Sequence, residues 1–274
     1  MDNYILPVPL SSPTLDVSGR VFLITGGTQG LGLEIAHQLK RNGAAGLVLV
    51  SRSASRGEEA VSELTNNDDG NKVCIIKFVA ADLSKAADAE SLVPNAAEEM
   101  KEVGPITGFV NAAAITTRGN LMTTTADSFD AQFAINVRAP FLVTQAAAKH
   151  MIEQNIPTGL GSIVNICSVA SKGGAPFIMG YSCAKSALVT LTKNNAAELA
   201  PKGIRVNGVN MGWCLTENEH KLQSEQSGDE KWFVGADQGV LLGRILRPAD
   251  VASTVNFLLS PATTMMTGSI IGKC

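Results

Sequence analysis

The chain has 274 residues, 45% of them hydrophobic and 17% charged, which excludes an intrinsically disordered polypeptide and is enough to bury one large core. Its formal net charge of −3 offers no basic footprint for nucleic acid or an anionic membrane, so a small molecule or another protein is the expected partner. The five cysteines, Cys74, Cys167, Cys183, Cys214 and Cys274, are odd in number and form no Cys-x-x-Cys pair, which predicts reduced thiols in a cytoplasmic setting.

Residues 1–18 read as an extended arm. No basic stretch precedes its apolar residues, and Pro7, Pro9 and Pro13 interrupt them before a signal-peptide core forms. No run of about 18 apolar residues follows anywhere in the chain, so no membrane span is expected. Residues 19–274 are then one domain. Its first strand, "RVFLIT" (20–25), runs into "TGGTQGLG" (25–32) and a helix over 30–42. Gly26, Gly30 and Gly32 stand where strand turns into helix. Such a turn either brings backbone N–H groups and the helix N-terminus against a pyrophosphate, or is merely structural. Leu33 and Glu34 follow Gly32 where a Walker loop requires Lys and Ser or Thr, which disfavours kinase and ATPase chemistry.

The second strand, "GLVLVS" (46–51), ends at Ser51 with Arg52 beside it. In dinucleotide folds a carboxylate at this place bonds the ribose 2′-OH, whereas a nearby Arg accommodates a 2′-phosphate. Ser51 and Arg52 therefore predict NADP(H) over NAD(H), with Arg56 adding charge if its loop curls inward; a solvent-exposed arginine is the alternative. "NNDDGN" (66–71) reads as a polar turn before the third strand, "KVCIIKFVA" (72–80), and Pro94 as a kink or a late start in the next helix. "ITGFVNA" (106–112), a helix over 127–153, "GSIVNIC" (161–167), a helix over 180–200, "IRVNGVN" (204–210) and "GSII" (268–271) complete the alternation. Short, almost continuously apolar strands separated by helices mean a parallel sheet covered on both faces: a single doubly wound, Rossmann-type α/β domain with a mostly parallel seven-stranded sheet.

Within "YSCAK" (181–185), Tyr181 and Lys185 lie one above the other on one helical face, as either an ordinary amphipathic helix or a catalytic pair. Together with "TGGTQGLG", "VNAAA" (110–114), Asn136 in its "IN" pair, and Ser168 in "NICSVAS" thirteen residues before Tyr181, this pair resembles the short-chain dehydrogenase/reductase family over about residues 18–272. The resemblance implies binding of NADP, with NAD possible, a catalytic set of Asn136, Ser168, Tyr181 and Lys185, and a homotetramer or homodimer. It also implies dinucleotide contacts at Gly26, Thr28, Gln29, Gly30, Leu31 and Gly32, at Ser51 and Arg52, at Asp82 and Leu83, at Asn111, Ala112 and Ala113, at Tyr181 and Lys185, and at Gly212 and Thr216. Three places depart from the family pattern: Ala112 and Ala114 replace the usual Asn and Gly, Met211 stands where proline is usual, and "GSIIGKC" lacks the common Asp-Gly-Gly ending.

In this reading Tyr181 is the acid/base of a hydride transfer between the nicotinamide and an alcohol or ketone. A free phenol exchanges protons poorly near neutrality, and one positive charge about 4 Å away favours its anion by about 4 kcal/mol at an effective dielectric near 20, a role Lys185 can fill. Ser168 would hold the substrate oxygen and Asn136 a water; a turn serine and a surface or backbone-bonding amide are the plain alternatives. Asp82 bonds the adenine amino group, caps the next helix, or does both. Residues 215–243, polar at first and then carrying Trp232 and Phe233, read as a substrate-covering segment or as a surface excursion. A 3-oxoacyl-carrier-protein ketoreductase and a non-catalytic dinucleotide-binding regulator are the other functions in view. His37, His150 and His220 are isolated and no Gly-x-Ser-x-Gly occurs, so neither a metal site nor a serine hydrolase is expected.

Overall fold

The computed structural model describes residues 14–66 and 73–273. The first thirteen residues of the expected arm, Cys274 and most of the expected turn at 66–71 lie outside them. Seven strands form one sheet: β1 (Val21–Thr25), β2 (Gly46–Ser51), β3 (Ile75–Ala80), β4 (Ile106–Asn111), β5 (Ser162–Ser168), β6 (Arg205–Met211) and β7 (Ile270–Lys273). Their order is β3-β2-β1-β4-β5-β6-β7 and every pairing is parallel. Between them run α1 (Gly30–Arg41), α2 (Ala54–Asn66), α3 (Ala86–Glu99), α4 (Ala126–Phe133), α5 (Ala139–Glu153), α6 (Met179–Leu199), α7 (Glu217–Ser227), α8 (Trp232–Gln238) and α9 (Pro248–Leu259).

Alternation along β1 distributes the core. Phe22 and Ile24 pack with Ile35 and Leu39 of α1 and Val255 of α9 on one face, while Val21 and Leu23 pack with Leu92 of α3 and Val143 of α5 on the other. A strand buried on both faces has to be apolar at every position, which is why these segments read as continuous hydrophobic runs. The strand order reverses direction between β1 and β4, and in open α/β sheets the crevice outside the strand carboxyl ends at that point is where ligands bind. The opposite end of the sheet is closed by two buried guanidiniums. Arg20 donates to Leu160 O (2.6 Å), and Arg205 to Gly159 O (2.9 Å) and Leu258 O (2.8 Å). Burial pushes Arg20 down to about 9 and Arg205 to about 10.

Several expected boundaries move. The helix expected over 127–153 is three pieces, α4, a π-helical turn at Ala134–Arg138, and α5. Pro94 does not delay a helix but sits inside α3, on its exposed face with Glu90, whose carbonyl loses its helical donor. The part of the arm that is described is docked: Val17 is buried and donates to Asn42 O, and Leu15 O accepts from Asn256.

Candidate active site

A cleft of about 290 Å³ opens at the carboxyl ends of the strands. Gly26, Gln29, Gly30, Leu31 and Gly32 line it from the β1–α1 turn, Ser51 and Arg52 from β2, Asp82 and Leu83 from β3, Ala112 and Ala113 from β4, and Thr216 from the segment after β6. Val50, Ala81, Ile115, Ile135, Ile166 and Asn218 line it too and were not singled out from the sequence; most are apolar and indistinguishable in sequence from core residues.

The turn is built for close approach of backbones. Gly26 has φ +67°, and a Cβ there would stand 3.0 Å from Ala113 Cα; a Cβ on Gly32 would stand 2.1 Å from Gly26 O. Thr25 Oγ1 accepts from the N–H groups of Ala112 (3.2 Å) and Ala113 (3.3 Å), tying the ends of β1 and β4 together. Thr28 lies outside the main cleft and lines an adjoining recess with Gly26, Gln29, Ser51, Arg52, Ser53 and Arg56. There Arg56, which is in the first turn of α2 rather than on a loop, donates to Gln29 Oε1, and Arg52 and Arg56 share one recess that no carboxylate lines.

Asp82 Oδ1 accepts from Ser84 Oγ (2.8 Å) and Ser84 N (3.1 Å), which leaves Oδ2 for another donor. These bonds to Ser84, with Lys85 and Arg52 nearby, hold its carboxyl below the usual carboxylate range. Asp82 does not cap α3, whose N-cap is Lys85. Asn111 turns away from the cleft: its amide donates to Asn165 Oδ1 (2.7 Å), Asn165 donates to Thr192 Oγ1 (2.9 Å), and all three are buried in the middle of the sheet. Gly212 is beyond the end of β6, next to the cleft residue Met211, and does not itself line the cleft. Thr216 does, and its Oγ1 also caps α7 by accepting from Glu219 N.

α6 begins against the end of β5. Ser182 Oγ donates to Ala170 O (2.6 Å), Ser186 Oγ to Ser171 O (2.7 Å) and Lys185 Nζ to Ile166 O (2.6 Å), three bonds that fix the first turns of the helix to the strand end. Lys185 is only 2% exposed and no carboxylate stands within ion-pair distance of it among the described residues. Its ammonium lies 5.6 Å from the centre of the half-buried Tyr181 ring. Ser168, the last residue of β5, accepts from Ala170 N (3.1 Å) through Oγ, which keeps its hydroxyl proton available to a further acceptor. Asn136 is fully buried within the π-helical turn; its Oδ1 accepts from Ile115 N (3.1 Å) and its Nδ2 donates to Ile115 O (2.9 Å). The amide thus bonds backbone, and through it holds Ile115, one wall of the cleft. π-helical turns recur at functional sites because they re-aim one residue of a helix.

Asn218, in the first turn of α7, lines the cleft, and α8 packs against α7. The Trp213 and Trp232 rings stack at 5.0 Å, Phe233 meets Trp232 edge-on at 6.2 Å, and Trp232 Nε1 donates to His220 Nδ1 (3.2 Å). Asp237 receives Arg247 and Ile245 N, anchoring the segment's end to the start of α9. Among the described residues no helix is long and apolar enough to cross a membrane, and no group of His, Cys, Asp and Glu has metal-ligating geometry.

Residues 26–272 match a family model described as enoyl-(acyl carrier protein) reductase. The chain is 32% identical to 2-(S)-hydroxypropyl-CoM dehydrogenase 3 of Xanthobacter autotrophicus, over 92% of this chain and 94% of that one. It is also 32% identical to gluconate 5-dehydrogenase of Gluconobacter oxydans, over 96% of each. A solved structure of a short chain dehydrogenase/reductase family protein superposes with a TM-score of 0.76 at 32% identity, covering 94% of this chain and 96% of that one.

Proposed function

The chain belongs to the short-chain dehydrogenase/reductase family and is an NAD(P)-dependent oxidoreductase, and from that premise we propose that Tyr181, Lys185 and Ser168 interconvert a secondary alcohol and its ketone with NADP(H). The observation that carries this reading is Lys185. A buried ammonium with a carbonyl for its acceptor, no carboxylate partner and a phenol one helical turn away is expensive as mere packing and well placed as a source of positive charge. The dinucleotide supplies the hydride donor or acceptor when bound. Tyr181 gives its proton to the carbonyl oxygen during reduction and takes one from the alcohol during oxidation. Ser168 donates its free proton to the same oxygen, and Lys185 stabilises the phenolate and offers its remaining donors to a ribose hydroxyl. Asn136 acts as a positioning residue through Ile115.

The residues present fit the dinucleotide. Gly26 and Gly32 let the turn close against Ala113 and against itself, where a Cβ would strike backbone, Asp82 keeps a carboxylate oxygen for an amino group, and the recess of Arg52 and Arg56 suits a 2′-phosphate, since guanidinium donates parallel, charge-assisted hydrogen bonds. Residues 215–243 cover the substrate. Assembly as a dimer or tetramer is supported by the α5–α6 face, where Phe141 is 45% and Ile152 44% exposed and the buried Asn195 Nδ2 has no hydrogen-bond partner among the described residues.

Replacing Tyr181 by Phe tests the chemistry. Turnover is expected to fall by about 10²–10⁴-fold, the usual contribution of general acid/base catalysis, with dinucleotide affinity unchanged. Retention of more than about a tenth of the parent rate would remove Tyr181 from the acid/base role.

A further inference from the structure

Resting on that reading, we infer that Trp213 is a specificity-determining residue whose indole face receives a flat, apolar substituent of the substrate, so that the preferred substrate is an aryl-bearing secondary alcohol or ketone. Trp213 stands two residues after Met211 and three before Thr216, both of which line the cleft. The short bridge between Cys214 and Leu246 fixes its direction: Cys214 enters the core, and alternation sends Trp213 outward, where it is 46% exposed. The indole is pinned there. Its Nε1 donates to Glu219 Oε1 (2.8 Å), and its ring is stacked on Trp232 at 5.0 Å with 26° between planes. An exposed aromatic ring held by both its polar atom and one face is a preorganised apolar surface.

Two further observations favour an apolar occupant. The loop before α6 and the loop after β4 are joined by the bond from Gly119 N to Phe177 O, and they expose Phe177 (59%), Leu121 (76%) and Met122 (90%). A second apolar lip therefore borders the first turn of α6, which carries Tyr181. Meanwhile the polar groups beside Trp213 are already used: Glu219 Oε1 accepts from both Trp213 and Gln223, and His220 Nδ1 accepts from Trp232. A polyol needs a dense set of free donors and acceptors, and Glu219 Oε1 and His220 Nδ1 are not free to supply them.

The test compares kcat/KM for reduction of acetophenone and of butanone by the NADPH-loaded enzyme, in the parent, Trp213→Ala and Trp213→Phe. The parent is expected to prefer acetophenone by about tenfold or more, as for an aromatic ring buried in an apolar pocket. Trp213→Ala should cut that ratio by about tenfold, chiefly through KM, and Trp213→Phe should restore most of it. A parent without aryl preference, or a ratio unchanged in Trp213→Ala, would overturn the aromatic shelf while leaving the oxidoreductase assignment standing. Absence of nicotinamide-linked turnover with every alcohol and ketone tried would overturn both.

Discussion

Arg52 shows how a single residue acts through its surroundings. It lies at the end of β2 in a recess shared with Arg56, whose guanidinium donates to Gln29. Arg52→Ala is expected to lower kcat/KM for NADP by at least about tenfold while changing that for NAD little, because one charge-assisted contact to phosphate is lost and the ribose contacts stay. Steady-state kinetics with both cofactors decide it; an unchanged NADP preference would detach Arg52 from the phosphate. Tyr181, Lys185 and Ser168 could be singled out as candidates only because several motifs occur together in order; a lone Tyr-x-x-x-Lys is a common spacing. Asn111 and Asn136 were legible only as positions. Sequence cannot show that the Asn111 amide is committed to Asn165 in the core, or that both ends of Asn136 are bonded to Ile115, since those partners come from elements that only the fold brings together.

At the scale of elements, strands and crossovers followed from hydrophobic period and turn residues, whereas the break of the 127–153 helix into α4, a π-helical turn and α5 did not. The inserted residue leaves the apolar pattern nearly intact, so periodicity passes over it. The C-terminal end of α5 carries a device of another kind. His150 is half-buried and its Nε2 accepts from Ile106 N (3.1 Å), securing α5 to the start of β4. Burial lowers its proton affinity below that of a free imidazole, against the opposing charge of Glu153. The unfolded chain therefore takes up more protons than the folded one as pH falls below about 6.5, and stability is lost with acidification in that window. The melting temperature should drop between pH 7.5 and about 5.5, and more steeply in the parent than in His150→Gln, which keeps an acceptor but cannot titrate. Parallel pH profiles for the two proteins would show that this bond is not protonation-sensitive.

For the whole molecule, the seven-stranded parallel sheet was readable from the order of its strands, whereas a face for a second copy is suggested in the sequence only by the alanine-rich stretches "TQAAAKH" and "NNAAELA" of α5 and α6. Small residues let helices approach, and the half-exposed Phe141 and Ile152 together with the unpartnered Asn195 amide mark where a second copy would complete the packing. Light scattering at micromolar concentration should give a dimer or tetramer, and Phe141→Glu should shift it toward monomer by placing a charge in a desolvated contact. A monomeric parent would rule the assembly out.

The stacked pair of indoles has a spectroscopic consequence. The chain has only two tryptophans, and they are the two rings in contact, so all indole emission and any indole exciton signal originate in one stacked pair. Reduced nicotinamide absorbs where indole emits, so energy transfer from this pair would report cofactor occupancy, and changes in its circular dichroism would report any shift of α8 against the β6 end, in the native protein and without a label.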